Sequence, residues 1–108
     1  MAIPETYLNF KRQQPELVAA YERLGQACRD AGPLDAKTAA LVKLAIALGA
    51  ASEGGSHSAV RKALRAGCTP QELEHVAVLA TTTIGFPAMM RARSWVLDIA
   101  DATDGGGA

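Results

Sequence analysis

The sequence predicts an all-α fold, a single-domain bundle of five to six helices, and three observations lead to this prediction. Hydrophobic residues make up 49% of the chain but aromatic residues only 5%. Ala and Leu are the most common hydrophobic residues, and both favour helix over strand. Gly and Pro divide the chain into blocks in which apolar residues recur at helical spacing. No stretch alternates as a half-buried strand would.

The length of 108 residues fits one domain. We place this domain at residues 1–103 and expect a disordered, glycine-rich tail at residues 104–108.

The first blocks are bounded by Pro and Gly. Residues 1–12 are irregular or form a short helix, and the first long block opens at Gln14-Pro15. Pro15 suits a first helical turn, where its missing N–H is not needed. Gly32-Pro33 ends this block. Asp35 then caps the second block, with its side chain accepting from the N–H of residue 37 or 38.

The second block is apolar on nearly all sides from Ala39 to Ala51, apart from Lys43. Such a pattern indicates a helix that is buried on most sides. A chain of this size has too little material to surround one helix. We therefore expect an obligate homo-oligomer, in which a neighbouring subunit covers part of this helix.

Three further blocks follow. The third runs from about Glu53 to Ala66 and ends at Gly67, a residue suited to a left-handed cap. The fourth begins with a capping box in which Thr69 is the N-cap, Pro70 the first helical residue and Glu72 the reciprocal partner. It is broken at Gly85-Phe86-Pro87, and the fifth block runs from Pro87 to about Ala102.

Composition and motifs exclude several classes of function. The formal net charge is zero and no basic stripe stands out, which argues against a nucleic-acid partner. The longest apolar stretch is shorter than the ~20 residues of a membrane span, and no secretory signal opens the chain. We therefore expect a cytoplasmic protein without a membrane partner. In that reducing compartment, Cys28 and Cys68 are expected to be small buried side chains rather than a disulfide.

Glu53 and His57 are the first candidates for chemistry. Four residues apart on one helix, they share a face, so Glu53 can orient the imidazole of His57 in an acid–base couple. The alternative is structural: a carboxylate is favourable near a helix N-terminus, and His57 is then an ordinary, partly exposed residue. Glu and His in this spacing are weak evidence for a metal, and no metal or cofactor motif is present, so we predict neither.

Other polar groups near this helix start are candidates for substrate binding. Lys43 either extends to the surface along its apolar stem or reaches a cavity and binds an anion. Free N–H groups at Gly54, Gly55 and Ser56 can hold an anion at the helix start. His75, on the fourth helical block, is a further candidate for substrate binding. Consecutive threonines at positions 81–83 either line a polar cavity or bond back to carbonyl groups one turn earlier, and we favour the second.

Several short motifs follow one another along most of the chain: the apolar block from Leu34, then Ala63-Leu64 followed by Gly67, then Thr69 with Glu72, then Gly85-Phe86-Pro87-Ala88. In this order and spacing they resemble the carboxymuconolactone decarboxylase and alkylhydroperoxidase D-like family. The resemblance covers roughly residues 34–99. It implies an all-α fold, a homo-oligomer (a trimer, or a hexamer of three dimers) and a site at the start of the helix after the apolar one.

The residues of the family's redox site are absent. In the peroxide-reducing branch the resemblance implies a C-x-x-C-x-x-x-H motif with an upstream glutamate, and these positions correspond to Ser52, Gly55, Ala59 and Ala40. Thiol-based peroxide reduction needs a thiolate and a resolving thiol. We therefore predict no CxxC peroxidase activity. His57 lies two residues before the family's histidine position, about 200° round the helix.

Three hypotheses follow, and whether the chain is an enzyme stays open among them. The first is a cofactor-independent decarboxylase or lyase for a small anionic metabolite, in which Lys43 binds a carboxylate, His57 moves a proton and Glu53 orients it. The second is a non-catalytic oligomeric binding or structural protein of the same fold. An alkylhydroperoxidase-type antioxidant reductase ranks third.

Overall fold

The computed structural model describes the backbone of residues 3–107 and the side chains of residues 3–101. The described residues form six α-helices and a 3-10 turn at Ala80–Thr82; the helices are α1 (Glu5–Gln13), α2 (Pro15–Asp30), α3 (Ala36–Gly49), α4 (Glu53–Arg65), α5 (Pro70–Leu79) and α6 (Phe86–Gly107). None of residues 3–107 lies in a β-strand. The predicted all-α fold is therefore confirmed.

The chain divides between Leu34 and Asp35 into two compact units. In the first unit, α1 packs against α2. The prediction of one domain over residues 1–103 stays a prediction. So does the disordered tail at residues 104–108, whose side chains lie outside the described residues.

The second unit contains the hydrophobic core that positions α4 and α6. Helix α3 packs against α4 and α5, and α6 packs against α4 and α5. The core consists of small and aliphatic side chains: Leu44, Leu48, Val60, Ala63, Cys68, Leu73, Ala77, Ala92, Val96, Ile99 and Ala100. Because α4 and α6 both contribute fully buried side chains, the relative position of these two helices is fixed by close packing.

The helix starts follow the predicted capping chemistry. Asp35 accepts a hydrogen bond from the backbone N–H of Thr38 (2.8 Å). At the start of α5, the Thr69 hydroxyl accepts from the N–H of Glu72 (3.1 Å), and the Glu72 carboxylate accepts from the N–H of Thr69 (2.8 Å). These bonds satisfy N–H groups that have no partner inside the helix. Both predicted caps are confirmed.

Three residues among those described adopt a left-handed backbone. Gly67 (φ 96°) ends α4, as predicted, and Gly85 (φ 97°) precedes α6. The third is Ala51 (φ 57°), which lies between α3 and α4. A side chain with Cβ is unfavourable in this conformation, so the turn that leads into α4 carries backbone strain.

Apolar exposure is greater than the sequence pattern suggested. On α2, the apolar residues Leu17, Tyr21 and Leu24 recur at helical spacing, yet they are 54%, 66% and 60% exposed in the single chain. Cys28 is exposed and Cys68 is buried, so the prediction of buried cysteines is correct for Cys68 and wrong for Cys28. Among the described residues, no helix combines the length and apolar character that a membrane span requires.

Candidate functional site

The start of α4 is built around the side chain of Ser52. Its hydroxyl accepts a hydrogen bond from the backbone N–H of Gly55 (3.0 Å). A Cβ atom at position 55 would lie 2.6 Å from the Ser52 Oγ, which is closer than atoms approach, so glycine permits this cap. The cap makes Glu53 the first residue of the helix, where the helix dipole favours a carboxylate.

His57 lies one turn further along α4 and contacts α6. Its Nε2 atom is 3.0 Å from Oδ2 of Asp98. The side chain of His57 is 16% exposed and that of Asp98 is 45% exposed. A contact of this length is a hydrogen bond, and the limited exposure of the imidazole holds it in one orientation.

Glu53 completes a cluster with these two residues. One ligand atom from each of Glu53, His57 and Asp98 lies within 4.8 Å of the other two. The sequence placed Glu53 and His57 together, and the structure agrees. However, the imidazole is oriented by its hydrogen bond with Asp98, not by Glu53.

This arrangement fixes the proton on the imidazole. An ionised carboxylate only accepts hydrogen bonds, so Nε2 of His57 donates to Asp98. In the neutral ring the lone pair then resides on Nδ1. No described residue forms a hydrogen bond with Nδ1. The cluster can therefore accept a proton at Nδ1 and stabilise the resulting positive charge with Asp98.

Asp98 was missed by sequence reasoning. It is 41 residues from His57 along the chain, and only the packing of α6 on α4 brings the two together. One feature of the sequence could have indicated Asp98. It lies between Trp95 and Ile99, which pack in or against the core, so its carboxylate is next to the buried face of α6.

The other predicted site residues on α3 and at the start of α4 are not part of the cluster of Glu53, His57 and Asp98. Lys43 is exposed on α3 and forms no hydrogen bond or ion pair with any described residue, Glu53 and His57 included. Ser56 is 0% exposed, and its hydroxyl has no hydrogen-bond partner among the described residues. A ligand arriving from solvent does not reach Ser56 in this arrangement. At Gly55 the N–H is already used by Ser52, which leaves Gly54 for the proposed anion site.

His75 belongs to a different feature, an open apolar cleft of about 510 Å³. The cleft is lined by residues of α3, α5 and the segment after α5: Leu41, Val42, Ala45, Leu48, Gly49, Glu72, His75, Val76, Leu79, Ala80, Thr83 and Ile84. Its lining includes none of the three cluster residues. The structure therefore does not bring His75 together with His57.

Polar groups near the cleft have local partners. The Glu72 carboxylate accepts from the backbone of Thr69 and lies 3.0 Å from Nζ of Lys37, and these contacts hold the pKa of Glu72 below its usual value. The hydroxyls of Thr81 and Thr83 donate to the carbonyl groups of Val78 and Ala80 (2.7 and 3.0 Å), as predicted. The two threonine hydroxyls are therefore satisfied within their own segment, and Glu72 is satisfied by Thr69 and by Lys37 of α3.

The thiols give no redox pair. Cys68 is buried, and burial raises the pKa of its thiol, which opposes formation of the reactive thiolate. Cys28 is exposed, and both cysteines are free. Position 52 is a serine and position 55 a glycine, so the start of α4 carries no thiol.

Comparison with known proteins gives one match. The family model described as "Carboxymuconolactone decarboxylase family" matches residues 15–98. No curated protein and no solved structure matches the chain. The match covers most of the sequence, including α4 and the part of α6 that contains Asp98. The chain therefore belongs to the carboxymuconolactone decarboxylase family.

Proposed function

We propose that this protein is a cofactor-independent lyase of the decarboxylase type, in which His57 takes a proton from a small substrate. The observation that supports this proposal is the 3.0 Å contact between His57 Nε2 and Asp98 Oδ2. Asp98 orients the ring and stabilises the imidazolium that forms, and Nδ1 is the proton acceptor. Glu53 is the third polar group at this site.

The substrate class in this proposal is a small carboxylate-bearing lactone, as the family's name suggests. Its anionic character rests on family membership, since Lys43 has no contact with the cluster that would bind a carboxylate there. The N–H of Gly54, in the first turn of α4, is the remaining candidate for an anion contact. We further propose a cytoplasmic location and no thiol peroxidase activity.

A second candidate function is a non-catalytic, oligomeric binding protein. It is favoured by the exposed apolar side chains of α2, which suit contact with a second copy in a trimer or hexamer. Loss of the family's cysteine and histidine positions, here Ser52, Gly55 and Ala59, also fits this candidate. It differs from the first in predicting no turnover.

Decarboxylation of carboxymuconolactone by the purified, chelator-treated protein separates the two candidates. We expect turnover by the wild type and a loss of about 100-fold or more in kcat for His57→Ala, because positioned acid–base groups contribute on that scale. Asp98→Asn should reduce kcat at least about tenfold, because it removes the charge that stabilises the imidazolium.

Asp101→Asn is the matched control, since Asp101 is an exposed carboxylate one turn further along α6 and lies outside the cluster. It should retain the wild-type kcat. Absence of turnover in the wild type would favour the binding protein. Turnover that survives His57→Ala would exclude His57 as the proton acceptor.

A further inference from the structure

We infer that Glu53, His57 and Asp98 together form a binding site for a divalent transition-metal ion such as Zn²⁺. Binding itself is independent of the lyase activity; only the predicted effect of the metal on turnover rests on the proposed function. The inference starts from the distances among the three side chains. One donor atom from each lies within 4.8 Å of the others.

The distances suit a single ion. Two atoms bound to one zinc ion lie about 3.0 to 3.5 Å apart, because each bond is about 2.1 Å long. His57 Nε2 and Asp98 Oδ2 are already 3.0 Å apart. Glu53 is exposed, so rotation of its side chain can bring a carboxylate oxygen into the same range.

The three donors come from two helices whose packing is rigid. Glu53 and His57 lie four residues apart on α4, a spacing that directs two side chains to one point, and Asp98 approaches from α6. Val60 and Ile99, close to the site on the same helices, are fully buried. The exposure of Glu53 and Asp98 leaves an open path for the ion and positions for water ligands.

The charges also favour a cation. The carboxylates of Glu53 and Asp98 lie within 4.8 Å of each other. Among the described residues, Asp98 forms an ion pair only with His57, and Glu53 forms none. A divalent ion would neutralise both. One imidazole nitrogen and two carboxylate oxygens suit Zn²⁺, Mn²⁺ or Co²⁺, whereas Mg²⁺ and Ca²⁺ prefer oxygen ligands alone. We therefore expect weak binding of Mg²⁺ and Ca²⁺.

Metal binding has a defined consequence for the imidazole. In the metal-free protein, Nε2 carries the proton that is donated to Asp98. When the Nε2 lone pair bonds to the metal, that proton leaves Nε2, and the neutral ring carries its proton on Nδ1 instead. Nδ1 then has no lone pair to accept a proton. Zn²⁺ should therefore inhibit the proposed lyase.

Isothermal titration of the chelator-treated full-length protein with Zn²⁺ tests the site. We expect one ion per chain. Affinity should fall by more than about tenfold in His57→Ala, Glu53→Gln and Asp98→Asn, since loss of a group that only orients a ligand already costs about that much. Glu53→Gln changes an exposed side chain, so this variant tests the site even if His57→Ala disturbs folding.

Asp101→Asn, His75→Ala and Cys28→Ser are the controls, and we expect each to retain the wild-type affinity. With Co²⁺ as a second probe, the absorption spectrum should lack a thiolate charge-transfer band. The inference is overturned if the wild type binds no Zn²⁺, or if binding survives Glu53→Gln and His57→Ala. Lyase turnover without Zn²⁺ binding would support the proposed function alone, and binding without turnover would support the metal site alone.

Discussion

Ser56 has a fully buried hydroxyl group with no hydrogen-bond partner among the described residues. Burying an unpaired hydroxyl costs about 1 to 3 kcal/mol, so Ser56→Ala should raise the free energy of unfolding by about 1 kcal/mol in urea denaturation. Ser58→Ala is the matched control, because it makes the same change on the same helix at a partly exposed position. A Ser56→Ala protein less stable than wild type would show that the hydroxyl has a partner.

His57 illustrates what sequence can reveal about a single residue. Its relation to Glu53 was predictable, because residues four apart share a face of a helix. The orienting role of Asp98 was not predictable, because it depends on how α6 packs against α4. Burial of Ser56 was missed for the same kind of reason: its side chain faces the core of the second unit, not the site.

The turn between α3 and α4 contains a strained residue. Ala51 has φ 57°, a conformation that costs a residue with Cβ about 1 to 2 kcal/mol relative to the right-handed one. Glycine adopts this conformation without strain, so Ala51→Gly should raise the free energy of unfolding by about 1 kcal/mol. The greater conformational entropy of glycine in the unfolded chain offsets part of this gain.

The converse substitution is the control for Ala51→Gly. Gly67 has φ 96° at the end of α4, and a Cβ there meets no atom within 4 Å. Gly67→Ala should therefore lower stability through backbone strain alone. If urea denaturation shows Ala51→Gly to be less stable than wild type, the left-handed conformation at Ala51 is not the one in solution.

The helices themselves were largely predictable from local signals. Asp35 and the pair Thr69 and Glu72 marked two helix starts, because a capping side chain must lie within three residues of the N–H it satisfies. The 3-10 turn at Ala80–Thr82 was not predicted. The three consecutive threonines do not by themselves predict a 3-10 turn, because their hydroxyls can bond to carbonyl groups of the preceding turn in more than one backbone conformation.

At the scale of the whole molecule, the exposed apolar residues predict self-association. Leu17, Tyr21, Leu24 and Cys28 follow one another at helical spacing on α2, and each is exposed in the single chain. A contiguous apolar stripe of this kind is typical of a protein interface. Sedimentation velocity should show a particle of more than one chain.

Substitution on the stripe gives the matching test. Leu24→Glu should reduce the particle toward a single chain, because it places a charge in the apolar contact. Arg23→Glu changes the charge of the neighbouring position, which lies off the stripe, and should leave the particle size unchanged. A wild-type protein that sediments as a single chain would contradict the predicted oligomer.

The fold and the family could be predicted because they depend on many residues. Apolar spacing, glycine positions and caps over residues 34–99 all indicated the same helices, and the family match at residues 15–98 agrees with them. The site depends on three side chains, one of them distant in sequence. Its function therefore required the geometry of Asp98, which no local pattern contains.

The central claim is that Asp98 fixes the imidazole of His57 with its proton on Nε2. Long-range proton–nitrogen NMR correlation on nitrogen-15-labelled protein tests it directly. We predict a resolved Nε2–H signal for His57, protected from exchange with water, and its loss in Asp98→Ala; exposed His75 should give no protected signal. An imidazole of His57 that exchanges freely and is the same in wild type and Asp98→Ala would contradict the account.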